Sequence, residues 1–302
     1  MTRVLITGGT GLVGKHLCKR LQEKGYDVAI LSRTGKQEAA IPTYTWDPDK
    51  KEIEKKAIET ADCIIHLAGT NIGDKRWTDK RKHLIIDSRI KTGQLIFSKI
   101  KEQNKYLQTF ISASAIGYYG TIISDNIFTE TYPAANDFLG DTCRKWEQTA
   151  DRFKELGIRT VKIRSGVVLT RQGGALSKMI TPVKMGIGSA IGTGSQYLPW
   201  IHIDDLCNIY IKAIEDTRMN GAYNAVAPDH KTNKEFTRTL ARVLKKPFWF
   251  PNLPAIIMKL MFGKMSGMLL RGSRISADKI KATGYKFLFP DLEIALTDLI
   301  KI

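Results

Sequence analysis

The sequence predicts an α/β chain: a doubly wound parallel sheet with a smaller, mostly helical C-terminal substrate lobe. Three observations carry that expectation. A glycine-rich run, Thr7-Gly8-Gly9-Thr10-Gly11-Leu12-Val13-Gly14, follows a short apolar run and leads directly into a helix-period segment. Up to about residue 170, β-branched apolar runs alternate with such segments, the rhythm of parallel βαβ units. After Leu169 the texture turns Gly-rich, without long strands, and then helical.

Taken in order, RVLITGG reads as the first strand and Gly14 to Lys24 as the helix that follows it. DVAILSR, CIIHLAG, TFISASA and TVKIRSGVVL are the next strand candidates, with helices near Lys80 to Gln103 and Cys143 to Leu156 between them. Their near-continuous apolar character suits strands covered on both faces. WIHIDDLCNIYIKAIED reads as strand, turn and amphipathic helix, with Asp204 or Asp205 as the N-cap. GAYNAVAP offers one more short strand. These readings place a Rossmann-type nucleotide-binding domain at 1–170, re-entered near 200–227, and a substrate lobe at 171–199 and 228–302. In the tail, Met258, Met261, Met265 and Met268 recur at helical spacing, which suits a lobe core; an adaptable partner surface is the alternative.

Composition narrows the function classes. The chain has 302 residues, enough to bury a sizeable core, and a net charge of +17. Basic and acidic residues read as interleaved, so the charge suits phosphate-bearing ligands better than a dedicated nucleic-acid surface. Cys18, Cys63, Cys143 and Cys207 are scattered, and no metal-ligand cluster emerges. Reduced thiols, a strand pattern starting at the N-terminus, and no apolar run of membrane-spanning length point to a cytoplasmic protein.

The glycine run is the strongest motif. Its glycines permit a tight turn and close approach to a pyrophosphate, and the helix N-terminus adds unpaired N–H groups. At the end of the second strand, an NAD site places an acidic residue against the ribose hydroxyls. This chain has Ser32-Arg33-Thr34-Gly35-Lys36 instead, a hydroxyl beside two cations, which suits a 2′-phosphate. The expected cofactor is NADP(H), bound by Gly8, Thr10, Gly11, Leu12, Val13 and Gly14, with Ser32, Arg33 and Lys36.

Together with Leu67-Ala68-Gly69, SASAIGYYG and WIHIDDL, the glycine run makes the chain resemble the short-chain dehydrogenase/reductase superfamily, in its extended, epimerase-like branch. RWTDKRK, DSRIKT, KWE, RSGVVL, GGAL, GSQ and NAVAP make it similar to an atypical subgroup, the epimerase family proteins, which carry their own C-terminal domain. The resemblance runs from Thr2 almost to the end of the chain. It implies that Leu67, Ala68, Gly69, Arg89 and Val167 also meet the cofactor. It further implies a catalytic Ser at Ser114 and a Tyr-x-x-x-Lys pair one helical turn apart.

That pair is missing. Anchored on Trp146-Glu147, the expected Tyr and Lys fall on Leu139 and Cys143, and neither can do their work: Leu has no proton to give, and a thiol carries no positive charge. Tyr118 and Tyr119, just after Ser114, are the remaining candidate acids; an aromatic wall against the ligand is the competing reading. The resemblance also expects an Arg gripping a substrate diphosphate where Leu198 stands. Gln196, Trp200 and Arg271 are the candidate substrate contacts, and the substrate is an unidentified small molecule. Three readings stand open: an NADP(H)-dependent oxidoreductase or epimerase-like enzyme with a non-standard acid, a non-catalytic NADP(H) sensor or scaffold, or a peripheral nucleic-acid or membrane-surface protein driven by the positive charge. The resemblance links the second to cell division.

Overall fold

A computed structural model describes residues 1–34, 41–124 and 126–300. The first part runs β1 (Arg3–Thr7), α1 (Leu12–Glu23), β2 (Asp27–Ser32), β3 (Thr43–Asp47), β4 (Glu52–Ile53), α2 (Lys55–Glu59), β5 (Cys63–His66), α3 (Asp79–Glu102), β6 (Thr109–Ala115) and β7 (Ile127–Phe128). Then come α4 (Phe138–Asp151), β8 (Arg159–Ser165), β9 (Val167–Leu169), α5 (Gly174–Lys184), β10 (Trp200–His202), α6 (Ile203–Glu215) and β11 (Gly221–Ala225). The tail adds α7 (Asn233–Val243), α8 (Ala255–Phe262), α9 (Gly267–Leu270), β12 (Arg274–Ile275), α10 (Asp278–Ala282) and α11 (Leu292–Ile300).

Eight strands form one sheet in the order β11-β8-β6-β5-β1-β2-β3-β4, parallel except for the β3–β4 pair. The chain winds outward through β2 and β3, then returns to lay β5 on the other side of β1. That reversal opens a crevice at the carboxyl ends of β1 and β5, where ligands bind in such sheets.

Both faces are covered because each strand alternates two apolar sets. Val4, Ile6, Val28, Ile30, Cys63 and Ile65 share a core with α1 and α6. Leu5, Ala29, Leu31, Ile64 and Phe110 share the opposite core with α3, where Phe110 stacks on Phe153. A third core, with Trp200, Phe236, Leu240 and Leu296, unites α5, α7 and α11 in the lobe. Side-chain caps set several helix starts: Thr78 accepts from the Arg81 N–H, and Thr232 with Glu235 completes a capping box on α7.

Three local expectations are corrected. TVKIRSGVVL is two strands, broken at Gly166, where a Cβ would lie 2.8 Å from the Pro199 carbonyl oxygen. The helix expected from Cys143 starts at Phe138, because Asp137 caps it by accepting from the Gly140 N–H at 2.8 Å. The N-cap of α6 is His202, whose Nδ1 accepts from the Asp204 N–H, so both aspartates sit in the first turn.

Candidate cofactor and reaction site

The glycine run forms the turn between β1 and α1 in the crevice. Gly8 has φ +71°, a conformation that favours glycine, and the Gly11 N–H closes the turn onto its carbonyl at 3.0 Å. A Cβ on Gly14 would lie 2.2 Å from the Gly8 oxygen, so the helix can pack on its own loop only through glycine. The first turn of α1 carries no acidic residue and no side-chain cap, leaving its N–H groups free for an anion.

A buried relay fixes this loop against the next strand. Thr92 Oγ1 donates to the Ser88 carbonyl, so its oxygen accepts from His66 Nε2–H at 3.2 Å. His66 Nδ1 then accepts from the Thr7 hydroxyl at 2.7 Å, and Thr7 Oγ1 accepts from the Ala68 N–H at 3.2 Å. The relay requires a neutral imidazole, and burial pushes the His66 pKa down to about 4. Leu67 and Ala68 are thereby held against Gly8, whose Cβ position lies 3.0 Å from the Ala68 nitrogen.

Ser32 ends β2 half-buried, and the exposed Arg33 makes no ion pair among the described residues. Lys36 lies outside the described residues. Arg89 reaches across from α3: its guanidinium carbon is 3.1 Å from a Cβ position on Gly69 and 4.8 Å from the Trp146 ring. It donates to the Ile85 carbonyl and meets no carboxylate at ion-pair distance among the described residues; burial lowers its pKa. Val167 begins β9, partly buried beside the lobe core. At Gly173-Gly174 the start of α5 approaches Leu12, with a Gly174 Cβ position 3.1 Å from the Leu12 side chain.

At the reaction end, Leu139 and Cys143 line the buried stripe of α4, both within 3.7 Å of a Cβ position on Gly117. Leu139 belongs to a small apolar cluster with Trp77, Ile85 and Met265, so the tail covers the place where the family pattern expects Tyr. Burial, then Glu147, pushes the Cys143 thiol up to about 12, which leaves it inert.

One turn beyond Cys143 lies a buried polar network that sequence reasoning missed. Arg164 grips Glu147 through Nε at 2.7 Å and Nη2 at 2.9 Å. Ser114 donates to the same carboxylate at 2.7 Å. Tyr119 donates to Asn224 and accepts from Arg164 Nη1, and it is only 2% exposed. Its phenol, raised to about 12 chiefly by burial, is a member of this scaffold and not a free acid. The Tyr118 ring is half-exposed under the Arg164 guanidinium, 3.5 Å away. A cavity of about 940 Å³ adjoins the network, lined by Tyr118, Glu130, Glu147, Lys162, Arg164 and Lys279, and it includes no residue of the glycine run. The missed signal was Lys162 and Arg164 alternating inside an apolar strand.

Of the substrate candidates, two are buried and one is exposed. Trp200 is fully buried in the lobe core with its indole N–H donated to the Asp229 carbonyl, which corrects its reading as a substrate contact. Gln196 is buried and donates to the Ile191 and Leu269 carbonyls, while its Oε1 has no partner among the described residues. Arg271 is exposed, and Leu198 packs on the lobe core. The aspartates of WIHIDD are structural: Asp204 meets His16 of α1 at 2.5 Å, and Asp205 accepts from Tyr285 Oη and the Leu288 and Phe289 N–H groups.

A glycine turn at the reversal point of a doubly wound parallel sheet, backed by a Leu-Ala-Gly strand end, defines a Rossmann-type nucleotide-binding protein. The chain belongs to the NAD dependent epimerase/dehydratase family, whose model matches residues 4–226; a domain of unknown function, DUF1731, matches residues 253–299. It is 36% identical to the epimerase family protein YfhF of Bacillus subtilis over 298 residues, 98% of this chain and 97% of that protein. It is 35% identical to the mouse epimerase family protein SDR39U1 over 302 residues, 99% of each chain. The crystal structure of human SDR39U1 (isoform 2) with NADPH superposes with a TM-score of 0.88 at 33% identity, covering 99% of both chains.

Proposed function

We propose that this chain binds NADP(H) and acts as an oxidoreductase or epimerase-like enzyme on a small molecule without the Tyr-x-x-x-Lys pair. The observation that carries the cofactor reading is the pairing of a glycine-only cradle at Gly8–Gly14 with an acid-free strand end at Ser32-Arg33. The human relative crystallised with NADPH supports the same choice. When bound, the cofactor supplies hydride transfer. The free N–H groups of α1 hold the pyrophosphate, and Arg33 with Ser32 holds the 2′-phosphate. Arg89, without a carboxylate partner among the described residues and lying over the Trp146 ring, is the cation we assign to the role of the lysine absent at Cys143.

At the substrate, Ser114 donates its hydroxyl hydrogen bond to Glu147, so its oxygen is left to accept a hydrogen bond from a substrate hydroxyl. Tyr118 is the remaining phenol for proton transfer, since Tyr119 is consumed by Asn224 and Arg164. A second reading, a non-catalytic NADP(H) sensor, is favoured by one observation: Leu139 is buried in an apolar cluster with Trp77, Ile85 and Met265.

Calorimetric titration with NADPH and NADH tests the cofactor reading. The wild type should prefer NADPH by about tenfold or more, the scale of one charge-assisted phosphate contact, and Arg33→Asp should erase that preference. Equal affinities in the wild type sink it. Once a turnover assay exists, loss of activity in Tyr118→Phe with unchanged NADPH affinity supports the enzyme; unchanged activity refutes the role given to Tyr118.

A further inference from the structure

The charge of +17 is not spread evenly. Between Glu235 and Asp278 the sequence contains no acidic residue and eight basic ones: Arg238, Arg242, Lys245, Lys246, Lys259, Lys264, Arg271 and Arg274. Between Glu155 and Asp204 there is again no acid. The fold brings these two stretches together, because the Leu253 N–H donates to the Ala190 carbonyl and the Gly192 N–H to the Leu253 carbonyl. The interleaving expected from the whole sequence therefore fails in the lobe.

The same region leaves large apolar side chains uncovered. On α8, Ile256 is 65% exposed, Leu260 70%, Met261 53% and Ile257 38%. At 100° per residue they fall within an arc of about 140°, one face of the helix, while Met258 alone on α8 turns inward to become buried. Trp249 (71%) and Phe250 (41%) stand just before α8, and Met185 (70%) and Ile187 (46%) just before the segment paired to Leu253. Lys184, Lys245, Lys246, Lys259 and Lys264 flank them, exposed and without an ion pair among the described residues. An apolar face of this extent marks an interaction site.

We propose that this face of the lobe is a peripheral docking surface for an anionic lipid bilayer, with α8 lying in the plane of the interface. The argument is independent of the cofactor reading. Apolar side chains with an interfacial Trp enter the boundary between headgroups and acyl chains, and the surrounding lysines meet anionic headgroups. Each lysine close to such a surface raises partitioning by about fivefold. A second copy is a poor occupant, because the unpaired lysines around α8 on the two copies repel. Nucleic acid would use the lysines but leave α8 in water. No helix among the described residues is long and apolar enough to span the membrane, so the docking is superficial.

The protein carries its own probe. Of its five tryptophans, Trp46, Trp77, Trp146 and Trp200 are 6%, 8%, 7% and 0% exposed, so a change of solvation on docking is read from Trp249. The full chain is floated with vesicles of phosphatidylcholine mixed with phosphatidylglycerol and with vesicles of phosphatidylcholine alone. Co-flotation with the mixed vesicles, weakened by salt, and a blue shift that Trp249→Phe abolishes are expected. Leu260→Glu and Ile256→Glu, both on the surface, should reduce partitioning about tenfold or more with NADPH affinity and melting temperature unchanged. Equal binding to neutral vesicles, no binding, or binding indifferent to Leu260→Glu overturns the proposal. So does a dimer that Leu260→Glu dissolves, or capture by duplex DNA that displaces the protein from vesicles.

Discussion

Replacing Arg164 by Met isolates the buried network at the reaction end. Arg164 is 3% exposed and Glu147 5%, so Arg164→Met leaves a carboxylate in the interior without its bidentate partner. Such losses cost about 3–5 kcal/mol. Two partners remain, the Ser114 hydroxyl at 2.7 Å and Lys162 Nζ at 3.8 Å, which hold the cost near the lower end, about 3 kcal/mol. Removing both charges in Arg164→Met/Glu147→Met leaves no buried ion, so the double variant should be more stable than Arg164→Met alone. Urea unfolding followed by circular dichroism, extrapolated linearly to water, measures each corner of the cycle. If the double variant loses the sum of the two single losses, or if Arg164→Met costs under about 1 kcal/mol, the pair does not act as a buried charge couple.

The His66 relay predicts a pH dependence. Its imidazole titrates near 6.5 when unfolded and near 4 when folded, so the unfolded chain takes up the extra proton between those values. Stability should therefore fall as pH drops from 6.5 to 4 and level off below, by roughly 3 kcal/mol in all; urea midpoints for His66→Gln should lack this slope. Gly14→Ala forces the turn open against the Gly8 carbonyl, so NADPH titration should show weakened binding alongside a loss of about 1–3 kcal/mol in unfolding experiments. Asp205→Ala removes the acceptor for Tyr285, Leu288 and Phe289 and should cost about 3 kcal/mol, with amide exchange rising first in the tail.

The sequence makes the cofactor end legible because its determinants are local. Gly8 to Gly14 lie within one turn of chain between a strand and a helix, and Ser32-Arg33 sits at the end of the next strand. Periodicity likewise exposes the parallel sheet, since every strand carries two apolar sets. The reaction end is written in contacts between distant segments. Leu139 reads as an isolated departure until it joins a buried cluster with Met265 of the tail, and Ser114 reads as a free hydroxyl until it hydrogen-bonds to Glu147. Trp200 misleads for a related reason: an aromatic beside a site motif resembles a ligand wall, yet its indole nitrogen finds a carbonyl in the lobe core. Asp204 and Asp205 look like a cap because they precede an amphipathic helix, whereas their carboxylates reach His16 and the tail.

The last segments of the chain bear on how such a protein could have grown. Ile275, Ala277 and Ile280 are buried in the same core as Val4 and Ile111, and β12 pairs with β7 in the parallel sense. The segment matched separately from the main family model is thus no bead on a string. Cutting the chain after β11 would take Ile275, Ala277 and Ile280 out of the core of the nucleotide-binding half and leave β7 without its partner. Loss and gain of this tail must therefore be concerted with changes in the sheet's own side chains, and a graft of the tail onto another family member would fail unless those residues travelled with it.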